Sequence, residues 1–444
     1  MIRAGFSRID ISPTEPVPLA GFGNTSRRMS EKVINPLYST CLALTDEMNN
    51  TVLLFHNDLI GSPEHIADPI RKAVSEATGV PITNIIVGST HTHSAPDVWN
   101  TSVPSIPRYN AALPGKLTQC ALEAMADRKE AKAYGAKTHT KNLNFVRHYI
   151  LEDGNYQGDN YGSQFKSPIA DHATKADNEM RLVKFIREDG EDILMVNWQV
   201  HPHRTGGAEK TNVSSDIIGT MRDATEAALG CKFIYFNSGA GNLNPSSRIT
   251  SEHRVDNYID HGKALADHII SAEGSYEALN LGRFLVLENP HVEMLNRPDP
   301  ALVERARPVA DYWTETNDWP GSLALALERG FSSQFDATSV MRRHNAEDDE
   351  MDCPLTVICL GDLGFATVPY EMFDTNAKYV RDNSPFKMTF ISQTTNASVM
   401  YIPSAYGFIH GCYEAACTTC KPGSGERLAG MLVRMLNWSK QWRG

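Results

Sequence analysis

Two histidines stand one residue apart in Thr90-His91-Thr92-His93-Ser94, directly after the apolar run Ile85-Ile86-Val87. Imidazole is both a frequent zinc ligand and a proton carrier near neutral pH, so the pair raises either chemistry at a strand end. Residues two apart share one side of a strand. If the run stays extended through His93, the two rings project together; loop histidines bonded to their neighbours would have the same spacing. A second cluster, Val200-His201-Pro202-His203-Arg204, follows the run Ile193 to Gln199. Proline there ends the ladder and leaves His201 at a strand terminus. Zinc sites collect three or four ligands from separate elements, so two such termini raise the metal reading to stand level with that of a satisfied core histidine.

Two further stretches could contribute. Pro369-Tyr370-Glu371-Met372-Phe373 follows the apolar run Leu355 to Val368, and puts Glu371 just past a strand in the expected first turn of a helix. A carboxylate there could hold a cation or simply complement the helix N-terminus. Asn237-Ser238-Gly239-Ala240-Gly241-Asn242-Leu243-Asn244-Pro245 is a glycine-rich turn after the strand-like run Phe233 to Phe236. Glycines let backbone N–H groups approach an anion, but a plain tight turn needs them equally, and no nucleotide-binding signature is present. Cys412, Cys417 and Cys420 cluster near the C-terminus, where one CxxC without a second reads as packing thiols.

The elements that must position these groups mix strands and helices. Short β-branched and apolar runs predict strands over Thr51 to His56, Asn84 to Gly88, Ile193 to Val200, Phe233 to Phe236, Arg283 to Glu288, Leu355 to Val368 and Met388 to Gln393. Helical spacing marks Glu64 to Ala77, Ala111 to Ala126, Ile217 to Ala228, His253 to Ala272, Glu371 to Val380 and Arg427 to Trp442. That alternation predicts an α/β (mixed α+β) class, its β-sheets covered by helices. Asn155 to Asp177 is polar and reads as a long loop, and Pro298 to Asp349 reads as a helical insertion. The division expected is one catalytic unit over residues 1–444, with the insertion at about 298–350.

Composition excludes several function classes. With 42 basic and 53 acidic side chains the formal charge is -11, and no Lys/Arg run could track a phosphate backbone, so a nucleic-acid partner is not expected. No apolar stretch approaches the roughly 20 residues that cross a bilayer. The start, MIRAGFSRIDIS, lacks the basic-then-apolar order of an export signal, which makes the cytoplasm the expected compartment. An oligomer is compatible with all of this.

Taken in order, these pieces resemble the neutral ceramidase family, zinc-dependent amidases that release a fatty acid from ceramide. The resemblance rests on Gly5-Phe6-Ser7-Arg8-Ile9-Asp10-Ile11-Ser12-Pro13, Gly21-Phe22-Gly23, Asn57-Asp58, Thr90 to Pro96, His201-Pro202, Asn237 to Pro245, Pro369-Tyr370-Glu371 and Tyr413-Glu414-Ala415-Ala416. It implies the family's catalytic fold and one Zn2+ per chain, held by His91, His201, Glu371 and Tyr401. It gives His93 the water bound to that zinc, and gives Arg147 and Tyr413 the scissile carbonyl oxygen. Asp58 and Asp216 become candidates for orienting the ligating imidazoles, although Asp216 also suits a helix N-cap after Ser214-Ser215.

Two departures bear on substrate. The ceramide-cleaving members carry a serine where this chain has Asn244, and they add a C-terminal immunoglobulin-like domain that this chain is expected to lack. The expected activity is therefore zinc-dependent hydrolysis of an N-acyl or related bond in a small-molecule or lipid-like substrate. The alternatives are the same centre acting on a small polar or carbohydrate-derived substrate, as hydrolase or lyase, and a barrel-type amidohydrolase.

Overall fold

The computed structural model describes residues 2–22, 28–159, 165–252 and 255–442. Its centre is a nine-stranded sheet. From one edge the order is Lys232–Asn237, Ile193–Trp198, Glu179–Arg187, Lys129–His139, Ile2–Asp10, Tyr38–Thr45, Thr51–Asn57 and Ile85–Ser89, with Glu277–Leu279 pairing beside Lys129–His139. Only the outermost pairs, Ile193–Trp198 with Lys232–Asn237 and Thr51–Asn57 with Ile85–Ser89, are parallel. This mixed sheet excludes the barrel-type amidohydrolase, whose strands would all run parallel.

Alternation along the strands explains the layers. In Thr51–Asn57 and its neighbours, Leu42, Leu44, Val52, Leu54 and Ile86 face a second sheet, while Cys41, Ala43, Leu53, Phe55, Ile85 and Val87 face the helices Glu64–Thr78 and Ser105–Ala126. Helices Asp216–Leu229 and Tyr258–Ser271 cover the other half of the same face through Leu194, Val196, Ile217, Met221 and Leu265. The second sheet has four strands, in the order Phe284–Asn289, Leu355–Leu360, Leu363–Thr367 and Met388–Ser392. Its outer face packs on helices Asp374–Asp382 and Ser424–Gln441 through Val357, Val380, Leu428 and Leu432. The result is helices, sheet, sheet, helices, which matches the expected class.

Several local expectations change. The run Leu355 to Val368 is two antiparallel strands turned at Gly361-Asp362, where Gly361 takes a φ of 69° that favours glycine. Glu371 lies in the short strand Glu371–Met372, paired in parallel with Tyr401–Ile402, and the helix starts only at Asp374. Part of the polar segment Asn155 to Asp177 is strand, since Tyr156–Gly158 and Ile169–His172 flank His148–Leu151. Helix Tyr258–Ser271 starts later than expected, because the Asn257 side chain caps it; His253, like Gly23, lies outside the described residues. Residues 298–350 contain helices Pro300–Thr316, Trp319–Glu328 and Gln334–Asn345, which share a small core around Ala306, Val309 and Val340.

Two buried histidines outside the candidate site make this core acid-sensitive. His56 packs edge-on against Phe236, with ring centroids 4.9 Å apart, and His261 lies in the helix interface against Asp216–Leu229. Neither His56 ring nitrogen has a protein hydrogen-bond partner, and a backbone hydrogen bond at Leu143 does not offset the burial of His261. Burial pushes both pKa values down to about 3, with Arg204 adding to the effect at His261. The unfolded chain binds these protons below about pH 6.5 and the folded chain does not. Their contribution is therefore complete above that pH and is lost as pH falls towards 3, at about 1.4 kcal/mol per unit for each residue. Replacing His261 with Leu should lower the slope of unfolding free energy between pH 6 and 4 by about that amount. Urea unfolding at stepped pH measures it, and an unchanged slope would contradict a neutral folded-state His261.

Candidate metal centre

The polar cluster forms where the ends of both parallel strand pairs meet the Glu371 strand. His91 follows strand Ile85–Ser89, His201 follows Ile193–Trp198, and Glu371 is carried by the pairing with Tyr401. His91 Nε2 lies 3.3 Å from Glu371 Oε2, and His201 Nε2 lies 3.1 Å from the same oxygen. All three are buried. The chain is not extended at His91, which has a φ of 70°; that turn brings the His91 and His93 rings to 5.1 Å and 77°. The shared site of the two histidines thus comes from a left-handed residue and not from strand alternation.

Hydrogen bonding fixes which atoms face inward. His91 Nδ1 lies 2.6 Å from the Ile60 carbonyl oxygen, and His201 Nδ1 lies 2.8 and 3.0 Å from those of Ala240 and Leu243. Carbonyls only accept, so the imidazole protons sit on Nδ1 and leave Nε2 lone pairs towards Glu371. Burial pushes the His201 pKa down to about 3, which keeps that ring neutral. Burial alone would raise the Glu371 carboxyl; facing His91 and His201 it is held well below the usual carboxylate range, an effect that requires positive charge on that side of the oxygen. Two imidazole lone pairs and a carboxylate oxygen therefore converge at about hydrogen-bond distance with no proton of their own to share. This donor set suits a cation.

The carboxylates expected to orient these imidazoles do other work. Asp58 Oδ2 accepts from Arg222 at 2.9 Å and from the Tyr38 backbone N–H. Asp216 Oδ2 accepts from the Thr205 N–H and hydroxyl, at 2.8 and 2.6 Å. Backbone carbonyls orient the rings instead. Two of them come from the glycine-rich turn, which contributes carbonyl oxygens here and not N–H groups. That turn comes close because Gly241 has no side chain: a Cβ there would lie 2.5 Å from the Glu371 carbonyl oxygen.

His93 completes the imidazole cluster. Ligand atoms of His91, His93 and His201 all lie within 4.8 Å of one another, and neither His93 ring nitrogen has a protein partner. Burial, reinforced by His91, His203 and His201, holds its pKa well below the ordinary value. His203 Nε2 lies 3.1 Å from Asn244 Oδ1, and its ring is 5.5 Å from that of His93.

The remaining sequence-identified residues gather on the other side. The Tyr401 ring stacks beside His201 at 6.4 Å and meets the Tyr413 ring edge-on at 5.7 Å. The Arg147 guanidinium lies 5.4 Å from the Tyr401 ring centre and 6.0 Å from that of Tyr413, and its Nε donates to Glu414 Oε1 at 2.5 Å. Sequence reading gave no role to Glu414, His148 or His203. Glu414 had a signal in its place beside Tyr413, whereas His148 is joined to it only by tertiary structure. Cys412, Cys417 and Cys420 are buried and free.

No protein-family model and no curated protein matches the sequence. Solved structures match along nearly the whole chain. The structure described as "Ceramidase complexed with C2" aligns with a TM-score of 0.73 at 14% identity, covering 99% of this chain and 75% of its own. A neutral ceramidase from Pseudomonas aeruginosa aligns at 0.72 and 14%, covering 98% and 74%. The chain has the neutral ceramidase fold.

The approach of the N-terminal segment to His93 is testable. Gly21 has a φ of 106°, and a Cβ there would lie 2.4 Å from His93 Cγ. Gly21→Ala should lower unfolding free energy by about 1–3 kcal/mol through combined backbone strain and overpacking. Urea unfolding reads the loss, and a change under about 0.5 kcal/mol, the usual surface range, would mean the segment does not pack on His93 in solution.

Proposed function

We propose that the protein is a metal-dependent hydrolase that cleaves an N-acyl (amide) or related bond, with zinc held by His91, His201, Glu371 and Tyr401. The observation that carries this reading is the convergence of two Nε2 lone pairs on Glu371 Oε2, at 3.1 and 3.3 Å in a buried site. Tyr401 enters as the fourth ligand because its strand register places it opposite Glu371. The fold shared with ceramidases supports the reaction class. Bound zinc would supply a water acidified to near neutrality and would polarise the substrate carbonyl.

The chain's own groups then have separable tasks. His93 has an unpartnered ring and a depressed pKa, so it is neutral at pH 7 and can take a proton from the attacking water and return it to the leaving nitrogen. Arg147 stays charged: burial alone would lower its pKa, but Glu414 and Tyr401 raise it. With the Tyr413 phenol it stabilises the charge that develops on the carbonyl oxygen. Asn244 occupies the turn beside His203 and offers no nucleophile, consistent with direct attack by water.

A second reading keeps the centre and changes the substrate. The side of the site away from Tyr401 is lined by His93, His203 and Asn244, which would suit a polar or sugar-derived group as well as a lipid-like one.

His91→Ala and Glu371→Ala should each lose bound zinc and activity, whereas His93→Ala should keep one equivalent and lose turnover by about 10²–10⁴-fold, the span of general acid–base catalysis. Metal analysis of the purified variants, paired with a screen of the zinc-loaded protein on ceramides, N-acyl amino acids and N-acetylated or uronic sugars, tests both parts. A His91→Ala protein that retains a full equivalent of zinc would sink the ligand assignment.

A further inference from the structure

We infer that Glu414 and His148 are the positioning pair of Arg147, fixing the direction in which its guanidinium meets substrate. The inference rests on the hydrolase reading above and goes beyond it by assigning two residues that neither sequence nor fold had given a part. Arg147 donates from Nε to Glu414 Oε1 at 2.5 Å and from Nη2 to the Gly241 carbonyl at 2.8 Å. The other Glu414 oxygen, Oε2, lies 2.9 Å from His148 Nε2. The Glu414 side chain is fully buried, and those of Arg147 and His148 are 9% and 3% exposed.

This geometry leaves Arg147 little freedom. Two of its edges are fixed by acceptors that are themselves immobilised, one of them the carbonyl of the turn that also orients His201. The donors that remain face Tyr401, to which the guanidinium is hydrogen-bonded, and Tyr413. Glu414 sits in the first turn of the short helix Tyr413–Cys417, so one helix start carries both Tyr413 and the carboxylate that aims Arg147. Arg147 lies at the break between strands Phe145–Val146 and His148–Leu151, so it and His148, adjacent in sequence, reach the same carboxylate from one chain segment.

A competing use of the same atoms is a second metal group, since ligand atoms of His148, Cys412 and Glu414 lie within 4.8 Å of one another. Glu414 Oε1 is already taken by the guanidinium, and a cation placed there would sit against the Arg147 charge. Positioning is the reading that uses every contact.

The test compares Glu414→Gln, His148→Gln and His148→Leu with Arg147→Ala. Glu414→Gln should keep one equivalent of zinc and lower kcat by about 10²-fold, the scale of losing one oxyanion donor, with KM changed by less than about 3-fold. His148→Gln still offers an N–H to Glu414 and should keep at least half of kcat, while His148→Leu should lose about 10-fold; this contrast holds the inference open to refutation if Glu414→Gln fails to fold. Guanidinium ion should partly restore Arg147→Ala and should not restore the Arg147→Ala/Glu414→Gln double variant. A readout independent of turnover is the Arg147 Nε–H signal in ¹⁵N NMR of the metal-free protein, which should exchange slowly in the wild type and fast in Glu414→Gln. Equal rescue of the single and double variants, an unchanged Nε–H signal, or a second zinc equivalent lost with Cys412→Ser would each overturn the positioning role. If instead the zinc-loaded wild type hydrolyses no acyl substrate while the Nε–H signal behaves as stated, the hydrolase reading fails and the positioning contact stands.

Discussion

The structure depends on one electrostatic constraint: two imidazole nitrogens and a carboxylate oxygen are held face to face inside the protein. Lone pairs at 3.1 and 3.3 Å from an anionic oxygen repel unless a cation joins them. What keeps them there is backbone. The carbonyls of Ile60, Ala240 and Leu243 fix the two rings by their far nitrogens, and the parallel pairing of Glu371 with Tyr401 fixes the carboxylate. Carbonyl oxygens set in loops tied to packed strands move less than carboxylate side chains would, so the ring orientation is inherited from the fold itself.

The sheet arrangement explains why these loops meet. Strands Ile85–Ser89 and Ile193–Trp198 are well separated in the strand order, yet each belongs to one of the two parallel pairs near the sheet's edges, and the sheet curls so that Lys232–Asn237 meets Thr51–Asn57 and Ile85–Ser89. The four-stranded sheet packs across that span, and Asn197 and Asn396 tie the two together: Asn197 Nδ2 donates to the carbonyls of both Phe236 and Ile391, and Asn396 Oδ1 accepts from the Val87 N–H. Buried polar ties between sheets that are otherwise joined by apolar contacts set register as well as proximity. Glu371, which follows strand Leu363–Thr367 of the four-stranded sheet, is thereby held to the strand ends of the larger one.

Much of this was legible in the sequence, and the gaps have physical causes. Strand ends followed by polar clusters located His91, His201 and Glu371, because apolar runs that stop at Gly or Pro mark where a sheet reaches its edge. The left-handed turn at His91 was not legible, since nothing in Thr-His-Thr-His calls for a positive φ; the hydrogen bond from Nδ1 to Ile60 depends on it. The break at Gly361-Asp362 carried a turn signal that a continuous apolar reading of Leu355 to Val368 overrode. The roles expected of Asp58 and Asp216 failed because carboxylates near a histidine in sequence order satisfy whichever donors lie close in space, here Arg222 and Thr205. Glu414 with Arg147 and His148 is a contact between distant parts of the chain, which no periodicity announces.

Charge accounting links the centre to the arginine beside it. Within the buried region Glu371 and Glu414 are anionic, Arg147 is cationic and His201 is neutral. At Glu414 burial alone would favour the acid form, but Arg147 and His148 outweigh it and keep it ionised. Glu414 and Arg147 offset each other, so the charge left to be balanced is that of Glu371, because each buried charge needs a partner. A divalent cation at the histidines would reverse the sign to net positive, the balance required where an acyl carbonyl gains negative charge in the transition state. Glu414 takes up the Arg147 charge from behind and so would let a guanidinium stand near that cation without driving it out. Without Glu414 the same guanidinium would compete with a bound metal for Glu371 and Tyr401, so in the proposed hydrolase the pair beneath Arg147 would keep the cation site and the oxyanion donor compatible.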